Sequence, residues 1–155
     1  MEAVEVRELL EQAVLRVREA DRYLLEKNLN ERCIAGRLAM YLQELFPRLH
    51  VDVEYNRDGN TPKRLDLPEE CANFWNEDGE ALVVPDVIVH RRGEAGPNIL
   101  VVELKKTTNR ETPDCDRRRV EAFRRQLGYE LGALITCETR AGRGPDVEVS
   151  AWFAD

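Results

Sequence analysis

Two acidic residues and a lysine interrupt apolar stretches of the chain, and their types and spacing suit metal-assisted chemistry. Asp86 lies within VVPDVIVH, and Glu103 lies within ILVVELKK, where Lys105 follows two residues later. Because side chains alternate between the two faces of a strand, Glu103 and Lys105 are predicted to lie side by side on one face. If the two stretches form neighbouring strands, Asp86 and Glu103 meet at the rim of the sheet.

Such a pair of carboxylates predicts a cation between them, because two desolvated carboxylates repel each other unless a cation or a proton intervenes. Mg²⁺ and Mn²⁺ suit this site, since Mg²⁺ prefers one or two carboxylates together with waters and substrate phosphates. A metal ion there would activate bound water and stabilise charge on a phosphoryl group. Lys105 would orient the attacking water or neutralise the phosphorus. The alternative is that Asp86 and Glu103 are strand-end acids paired with Lys105 or an arginine.

Two helices are predicted before these strands. The first covers residues 1–27, with an apolar stripe at Val6, Leu10, Val14, Val17 and Leu24. Asn30 is suited to cap a second helix that runs to about Phe46 and is ended by Pro47. Glu31 then heads the apolar stripe of the second helix instead of its wet side.

The rest of the chain predicts an α/β domain built on a mixed sheet, in the order α-α-β-β-β-α-β-β. Residues 50–55 alternate as a half-buried strand, and residues 56–80 read as an irregular connection. Thr112 is predicted to cap a third helix, with Pro113 at its first position. The remaining predicted strands are residues 82–90, 99–104 and 132–137, which are apolar on both faces, and an edge strand at Asp146–Phe153.

These residues resemble the PD-(D/E)-X-K nuclease superfamily. Pro85-Asp86 is similar to its PD element, Glu103-Leu104-Lys105 to its E-x-K element, and Glu31 to the acidic residue on its early helix. The stretches NERCIAGRLAMYLQ and VDVEYNRDG also resemble small uncharacterised prokaryotic members. The resemblance implies a restriction-endonuclease-like αβββαβ core over residues 31–137, with a central mixed sheet flanked by helices and an extra N-terminal helix.

The resemblance also implies roles for individual residues. Asp86, Glu103 and the Leu104 carbonyl are expected to bind Mg²⁺ or Mn²⁺, and Glu31 is expected to assist, often through water. Lys105 is expected to position the water, so that the catalytic set is Asp86, Glu103, Lys105 and Glu31. The implied activity is hydrolysis of nucleic-acid phosphodiester bonds, with DNA favoured over RNA.

The charge distribution allows a nucleic-acid contact on an acidic protein. The net charge is −7, yet residues 104–125 carry eight basic and four acidic side chains, a local net charge of +4. On the third helix, Val120, Phe123 and Leu127 are predicted to face the core, which would leave the basic side chains outward. The predicted phosphate contacts are Lys106, Arg117, Arg118, Arg124 and Arg125, although these arginines could instead be only a solvated face.

Length and composition favour one domain over residues 1–155. No stretch is long and apolar enough to span a bilayer. Four scattered cysteines, at positions 33, 71, 115 and 137, predict reduced thiols and a cytoplasmic location, and their spacing argues against a zinc site. Nucleic acid is the expected partner, and a homodimer or larger complex is left open.

Two other functions remain open from the sequence. One is a non-catalytic module that binds nucleic acid or protein on the same fold, since a fold does not fix a function. The other is a subunit that cuts only within a larger complex, because 155 residues leave no separate domain for target recognition. The presence of Asp86, Glu103 and Lys105 together favours an active enzyme over the non-catalytic module.

Overall fold

A computed structural model describes residues 1–55, 66–73, 83–94, 96–111 and 114–155, and the backbone of four further two-residue strands. Its helices are α1 (Ala3–Ala20), α2 (Arg22–Glu26), α3 (Glu31–Leu45) and α4 (Cys115–Leu127), with a 3₁₀ turn at Glu69–Cys71. The predicted start of α3 is confirmed, because the Asn30 side chain accepts a hydrogen bond from the Cys33 N–H at 2.7 Å. The predicted cap of the later helix, at Thr112 and Pro113, falls outside the residues that the structure describes.

The single N-terminal helix predicted for residues 1–27 is wrong, because the chain breaks at Asp21 into α1 and α2. Asp21 leaves the helical conformation, and its buried carboxylate accepts hydrogen bonds from Arg37 Nε at 2.9 Å and Tyr41 Oη at 2.6 Å. Beyond the break the core position shifts, so that Leu25 is fully buried while Leu24 is only partly buried.

Five strands form one mixed sheet in the order β1-β6-β7-β8-β9. The β7–β8 pair is parallel and the other three pairs are antiparallel. Two small antiparallel pairs, β2–β3 and β4–β5, lie outside this sheet. The strands are β1 (His50–Val53), β2 (Arg57–Asp58), β3 (Thr61–Pro62), β4 (Phe74–Trp75), β5 (Ala81–Leu82), β6 (Val87–His90), β7 (Asn98–Lys106), β8 (Leu131–Glu138) and β9 (Asp146–Phe153).

The predicted strand at residues 82–90 is wrong in its first half, since β6 begins only at Val87. Pro85 has no backbone N–H that could donate a hydrogen bond to a neighbouring strand. The Asn73 side chain holds both backbone groups of Val84, accepting from its N–H and donating to its carbonyl at 2.8 Å each. Asp86 therefore precedes the strand instead of interrupting it.

The strand predicted at residues 50–55 is also too long. It ends at Val53, which is exposed, and Glu54 has a positive φ of 48°. The connection predicted at residues 56–80 includes β2, β3, β4 and the 3₁₀ turn, and its other residues lie partly outside the described ranges.

The sheet lies between two helical layers. Residues of α1, α2 and α3 pack on one face, against Val89, Leu100 and other apolar strand residues, while Val120 and Phe123 of α4 pack on the opposite face. Contact on the α4 side is close, because a side-chain carbon added at Gly132 of β8 would lie 2.4 Å from Val120 Cγ1. Successive residues of β7 therefore face different helices, which decides where each site residue points.

The prediction of four reduced, scattered thiols is wrong. Cys71 and Cys115 form a disulfide across 44 positions of sequence, because the 3₁₀ turn packs against the start of α4. Cys33 and Cys137 are free. The cysteines thus give no support to the cytoplasmic location, which stays a prediction. None of the helices in the described ranges is long and apolar enough to cross a membrane.

Candidate active site

The β6–β7 pairing brings Asp86 and Glu103 together. Val87 faces Val102 in the antiparallel register, so Asp86, one residue before β6, lies at the level of Glu103. The Leu104 N–H donates a hydrogen bond to Asp86 Oδ2 at 2.7 Å and fixes that carboxylate against β7. Glu103 is buried, with 1% of its surface exposed. The two acids therefore lie side by side, as the sequence predicts.

The Asp86 and Glu103 side chains influence each other's ionisation. Burial raises the pKa of Glu103 well above its usual range, and the neighbouring Asp86 charge raises it further. Burial also raises the pKa of Asp86, but the hydrogen bonds from Glu103 and from the Leu104 N–H oppose this rise. Both carboxyl groups are therefore harder to ionise than usual, Glu103 more so than Asp86.

Glu31, the first residue of α3, approaches this pair from the other helical layer. Its Oε2 accepts a hydrogen bond from the Lys106 N–H at 2.7 Å, and the Asn109 side-chain amide donates to both of its oxygens at 2.9–3.0 Å. The negative charge of Glu31 also raises the pKa of Asp86. Glu31 is thus held beside the pair by the end of β7.

An open cavity of about 400 Å³ contains these groups. Its charged lining residues are Glu31, Arg32, Glu54, Asp86, Glu103, Glu111 and Arg119, and Leu104 also lines it. Glu54 is paired with Arg32, whose Nε lies 2.7 Å from Glu54 Oε1. Five carboxyl groups thus face two guanidinium groups, an excess of acid that favours a cation over a phosphate as the first ligand.

Arg119 of α4 is the buried cation of this cavity, with 4% of its surface exposed. Its Nε lies 3.3 Å from Glu103 Oε1, and its two terminal nitrogens hydrogen-bond both oxygens of Glu111. One terminal nitrogen also donates to the Cys71 carbonyl at 3.1 Å. Glu103 is therefore paired with an arginine, as the alternative reading of the sequence foresaw, but also remains paired with Asp86.

Lys105 and Lys106 point to opposite layers, as strand alternation predicts. The Lys105 ammonium lies on the α4 side, 3.8 Å from Asp116 Oδ1, and is not part of the cavity lining. The Lys106 ammonium lies on the α3 side and donates to Asn28 Oδ1 at 3.1 Å. Among the contacts described, neither ammonium reaches Asp86, Glu103 or Glu31, although the Lys106 backbone N–H donates to Glu31.

The predicted phosphate-contacting arginines of α4 differ in their surroundings. Val120 and Phe123 are fully buried and Leu127 is partly buried, which confirms the apolar stripe. Arg117, Arg118 and Arg125 are exposed, whereas Arg124 is largely buried and contacts Asp155 and the Glu130 carbonyl. Arg117 lies over the Phe153 ring, and Arg118 lies 3.9 Å from Glu70.

Arg119, Glu111, Asn109 and the disulfide were not predicted as parts of the site. The sequence did contain a signal for Arg119. This residue lies four positions after Cys115, three after Asp116 and one before Val120, which places it on the buried side of α4. An arginine on a buried helix face requires a carboxylate partner. Glu111 and Asn109 lie in irregular backbone after β7, where no periodicity indicates a direction.

Comparison of the chain with protein-family models, with curated proteins and with solved structures found no match. Within the described ranges, no group of three or more His, Cys, Asp and Glu side chains is arranged to hold a metal ion. The pair of carboxyl groups nevertheless fits Mg²⁺ or Mn²⁺ by its donor chemistry, because two carboxylates can suffice when water and substrate complete the shell. Asp86 and Glu103, with the Leu104 carbonyl and Glu31, are the residues that would hold such an ion.

Proposed function

We propose that the protein is a metal-dependent nuclease with a restriction-endonuclease-like core. The placement of the half-buried Asp86 carboxylate beside the buried Glu103, at the level where β6 begins, is the observation on which the proposal rests. Burial of two like acids side by side destabilises the fold unless a proton or cation is shared. A divalent cation bound between the two carboxylates would relieve this repulsion at neutral pH.

The element order supports the proposed core. Helix α3 and strands β1, β6 and β7 precede α4 and β8, which gives the αβββαβ order within a five-stranded mixed sheet. The start of α3, the start of β6 and the middle of β7 line one cavity. These three elements carry Glu31, Asp86 and Glu103, the acids that the resemblance assigns to the metal.

The proposed chemistry is hydrolysis of a phosphodiester bond, with DNA favoured over RNA. A bound Mg²⁺ or Mn²⁺ would supply a Lewis acid and lower the pKa of a bound water. Asp86 and Glu103 would orient the reacting groups, and the Lys105 ammonium would stabilise negative charge at the phosphoryl group. Lys106 and the exposed Arg117, Arg118 and Arg125 would attract the nucleic acid to an otherwise acidic protein.

A non-catalytic module is the second candidate, favoured by the contact between Arg119 and Glu103. An arginine that remained on Glu103 would exclude a metal ion and leave only a binding surface. The two functions differ in their response to metal, because binding to phosphates needs no divalent cation, whereas the proposed cleavage does.

The test is a cleavage assay with single-stranded, duplex and branched DNA and the corresponding RNAs, each with Mg²⁺, with Mn²⁺ and with EDTA. We expect cleavage of at least one substrate only when the metal is present. Binding that is equal with metal and EDTA, with no cleavage of any substrate, would favour the non-catalytic module.

A further inference from the structure

Arg119 contacts other groups besides Glu103. Its Nε makes one contact to Glu103, at 3.3 Å, longer than a strong charge-assisted hydrogen bond. Its terminal nitrogens make three contacts to other groups, two to Glu111 and one to the Cys71 carbonyl. The guanidinium could therefore release Glu103 and remain hydrogen-bonded, which avoids the large penalty of an unpaired buried cation.

The partners on this side are fixed by the fold. Cys71 is disulfide-bonded to Cys115 in the first turn of α4, one turn before Arg119. The Cys71 carbonyl is therefore anchored to the helix that carries the guanidinium. Glu111 is partly exposed, with its side chain 28% accessible, and it lines the cavity beside Glu103. Glu111 can thus follow the guanidinium at small cost, while the buried Glu103 cannot.

We infer that Arg119 is a positioning residue of this site. Its guanidinium holds Glu103 before a divalent cation binds, and it withdraws onto Glu111 and the Cys71 carbonyl when the cation takes Glu103. The inference rests on the proposed function, because it requires a cation at Asp86 and Glu103. Glu111 is then the acceptor of Arg119 and not a metal ligand.

The arrangement makes Glu111 important for metal affinity through Arg119 alone. Without the Glu111 carboxylate, withdrawal from Glu103 would leave the guanidinium with the Cys71 carbonyl as its one remaining partner among the contacts described. Arg119 would then compete more strongly with the metal for Glu103. Glu54 is a matched control, since it lines the same cavity as a carboxylate but is paired with Arg32.

The test compares Mn²⁺ dissociation constants of Glu111→Gln and Glu54→Gln with that of the parent, measured from the paramagnetic resonance signal of free Mn²⁺. Each variant removes one negative charge from the cavity, which we expect to weaken binding by about twofold. For Glu111→Gln we expect about tenfold weaker binding. Equal effects of the two variants would overturn the inference.

A double-mutant cycle with Arg119→Gln separates Arg119 from a direct role of Glu111. Arg119→Gln should bind Mn²⁺ at least as tightly as the parent, because the competing cation is gone. In that background, Glu111→Gln should weaken binding by no more than about twofold. A tenfold loss there would make Glu111 a metal ligand and overturn the inference. If Arg119→Gln does not fold, the comparison of Glu111→Gln with Glu54→Gln decides the question alone.

The same measurements distinguish this inference from the proposed function. Mn²⁺ binding by the parent that is absent from Asp86→Asn, combined with equal effects of Glu54→Gln and Glu111→Gln, overturns the inference and leaves the metal site intact. Absence of Asp86-dependent Mn²⁺ binding by the parent overturns the metal site and the role of Arg119 together.

Discussion

Two aspartates beside β6 have opposite surroundings: Asp86 directly precedes β6, and Asp52 lies in the neighbouring strand β1. At the start of β6, Asp86 lies beside another acid, Glu103, and burial raises the pKa of both carboxyl groups. At its far end, Asp52 lies 2.8 Å from His90 Nε2 and is also paired with Arg92. Burial would raise the pKa of Asp52, but hydrogen bonds from Arg92 and His90 hold it below its usual range.

The difference separates an acid whose charged form is favoured by its neighbours from two acids whose charged forms are disfavoured. Asp52 has two partners that favour its charged form, so its ionisation supports the folded state. Asp86 and Glu103 lie side by side against the interior, where ionisation of both opposes folding. Neighbouring acids with raised pKa values are typical of sites that bind a cation or perform acid–base chemistry. Asp86 directly precedes the short strand β6 and Asp52 lies in the short strand β1, so it is their neighbours that distinguish them.

The largest expected contrast between the two ends is in cleavage. Asp86→Asn should lower kcat/KM by about a thousandfold or more, because a neutral amide replaces a ligand of the proposed metal. Asp52→Asn should cleave within about threefold of the parent, as Asp52 lies outside the cavity lining. The assay is metal-dependent cleavage of the best substrate at one salt concentration. Comparable losses in the two variants would remove the distinction between the ends.

A second contrast concerns the two lysines that follow the acidic pair. Lys105→Ala should lower kcat by about a hundredfold while Mn²⁺ still binds, because stabilisation of charge in the transition state is lost. Lys106→Ala, on the opposite layer, should raise KM with kcat nearly unchanged. Single-turnover kinetics over a range of substrate concentrations separates the two parameters. Unchanged kcat in Lys105→Ala would contradict the catalytic assignment.

In measurements of stability, Asp52→Asn should have a larger effect than Asp86→Asn, the reverse of the order expected for cleavage. Asp52→Asn should lower the free energy of unfolding by about 1–2 kcal/mol, because charged hydrogen bonds to His90 and Arg92 are weakened. Asp86→Asn should change it by less than about 1 kcal/mol, since the amide oxygen can still accept from the Leu104 N–H. Urea unfolding at neutral pH provides both values. A larger loss in Asp86→Asn would assign the acidic pair to stability.

A smaller effect should appear in the pH dependence of the Asp52 end. The folded-state pKa of Asp52 is lowered, so its contribution is fully present above the unfolded-state value of about 3.9 and is lost as pH falls through the folded-state pKa. The stability difference between the parent and Asp52→Asn should therefore shrink below about pH 4. Urea unfolding of both proteins between pH 6 and pH 3 measures it. A difference that grows towards low pH would contradict the assigned partners.

The sequence predicted the parts of this architecture that depend on local periodicity and capping. Asn30 caps α3 as expected, and the apolar stretch around Glu103 is a central strand. The prediction of one long helix was wrong at Asp21, because the hydrogen-bond partners of Asp21, Arg37 and Tyr41, are distant in sequence. The predicted first half of the strand at residues 82–90 was wrong for the same reason, because Asn73, which hydrogen-bonds the backbone of Val84, is distant in sequence.

The candidate site shows the same division. Asp86 and Glu103 could be identified because each interrupts or borders an apolar stretch, a signal that is local. The contacts of Arg119 with Glu103, Glu111 and Cys71 join three separate segments, and no periodicity records such contacts. The pairing of Cys71 with Cys115 was likewise invisible from spacing alone, because it depends on the docking of the 3₁₀ turn on α4.

The most direct test of the metal site at Asp86 and Glu103 is a titration of the parent, Asp86→Asn and Asp52→Asn with Mn²⁺, followed by the resonance signal of the free ion. We expect the parent and Asp52→Asn to bind Mn²⁺ with similar affinity and Asp86→Asn to show no binding. The affinity should be weak without substrate, because two carboxylates alone hold such ions loosely. Undiminished binding by Asp86→Asn would contradict a metal site at the start of β6.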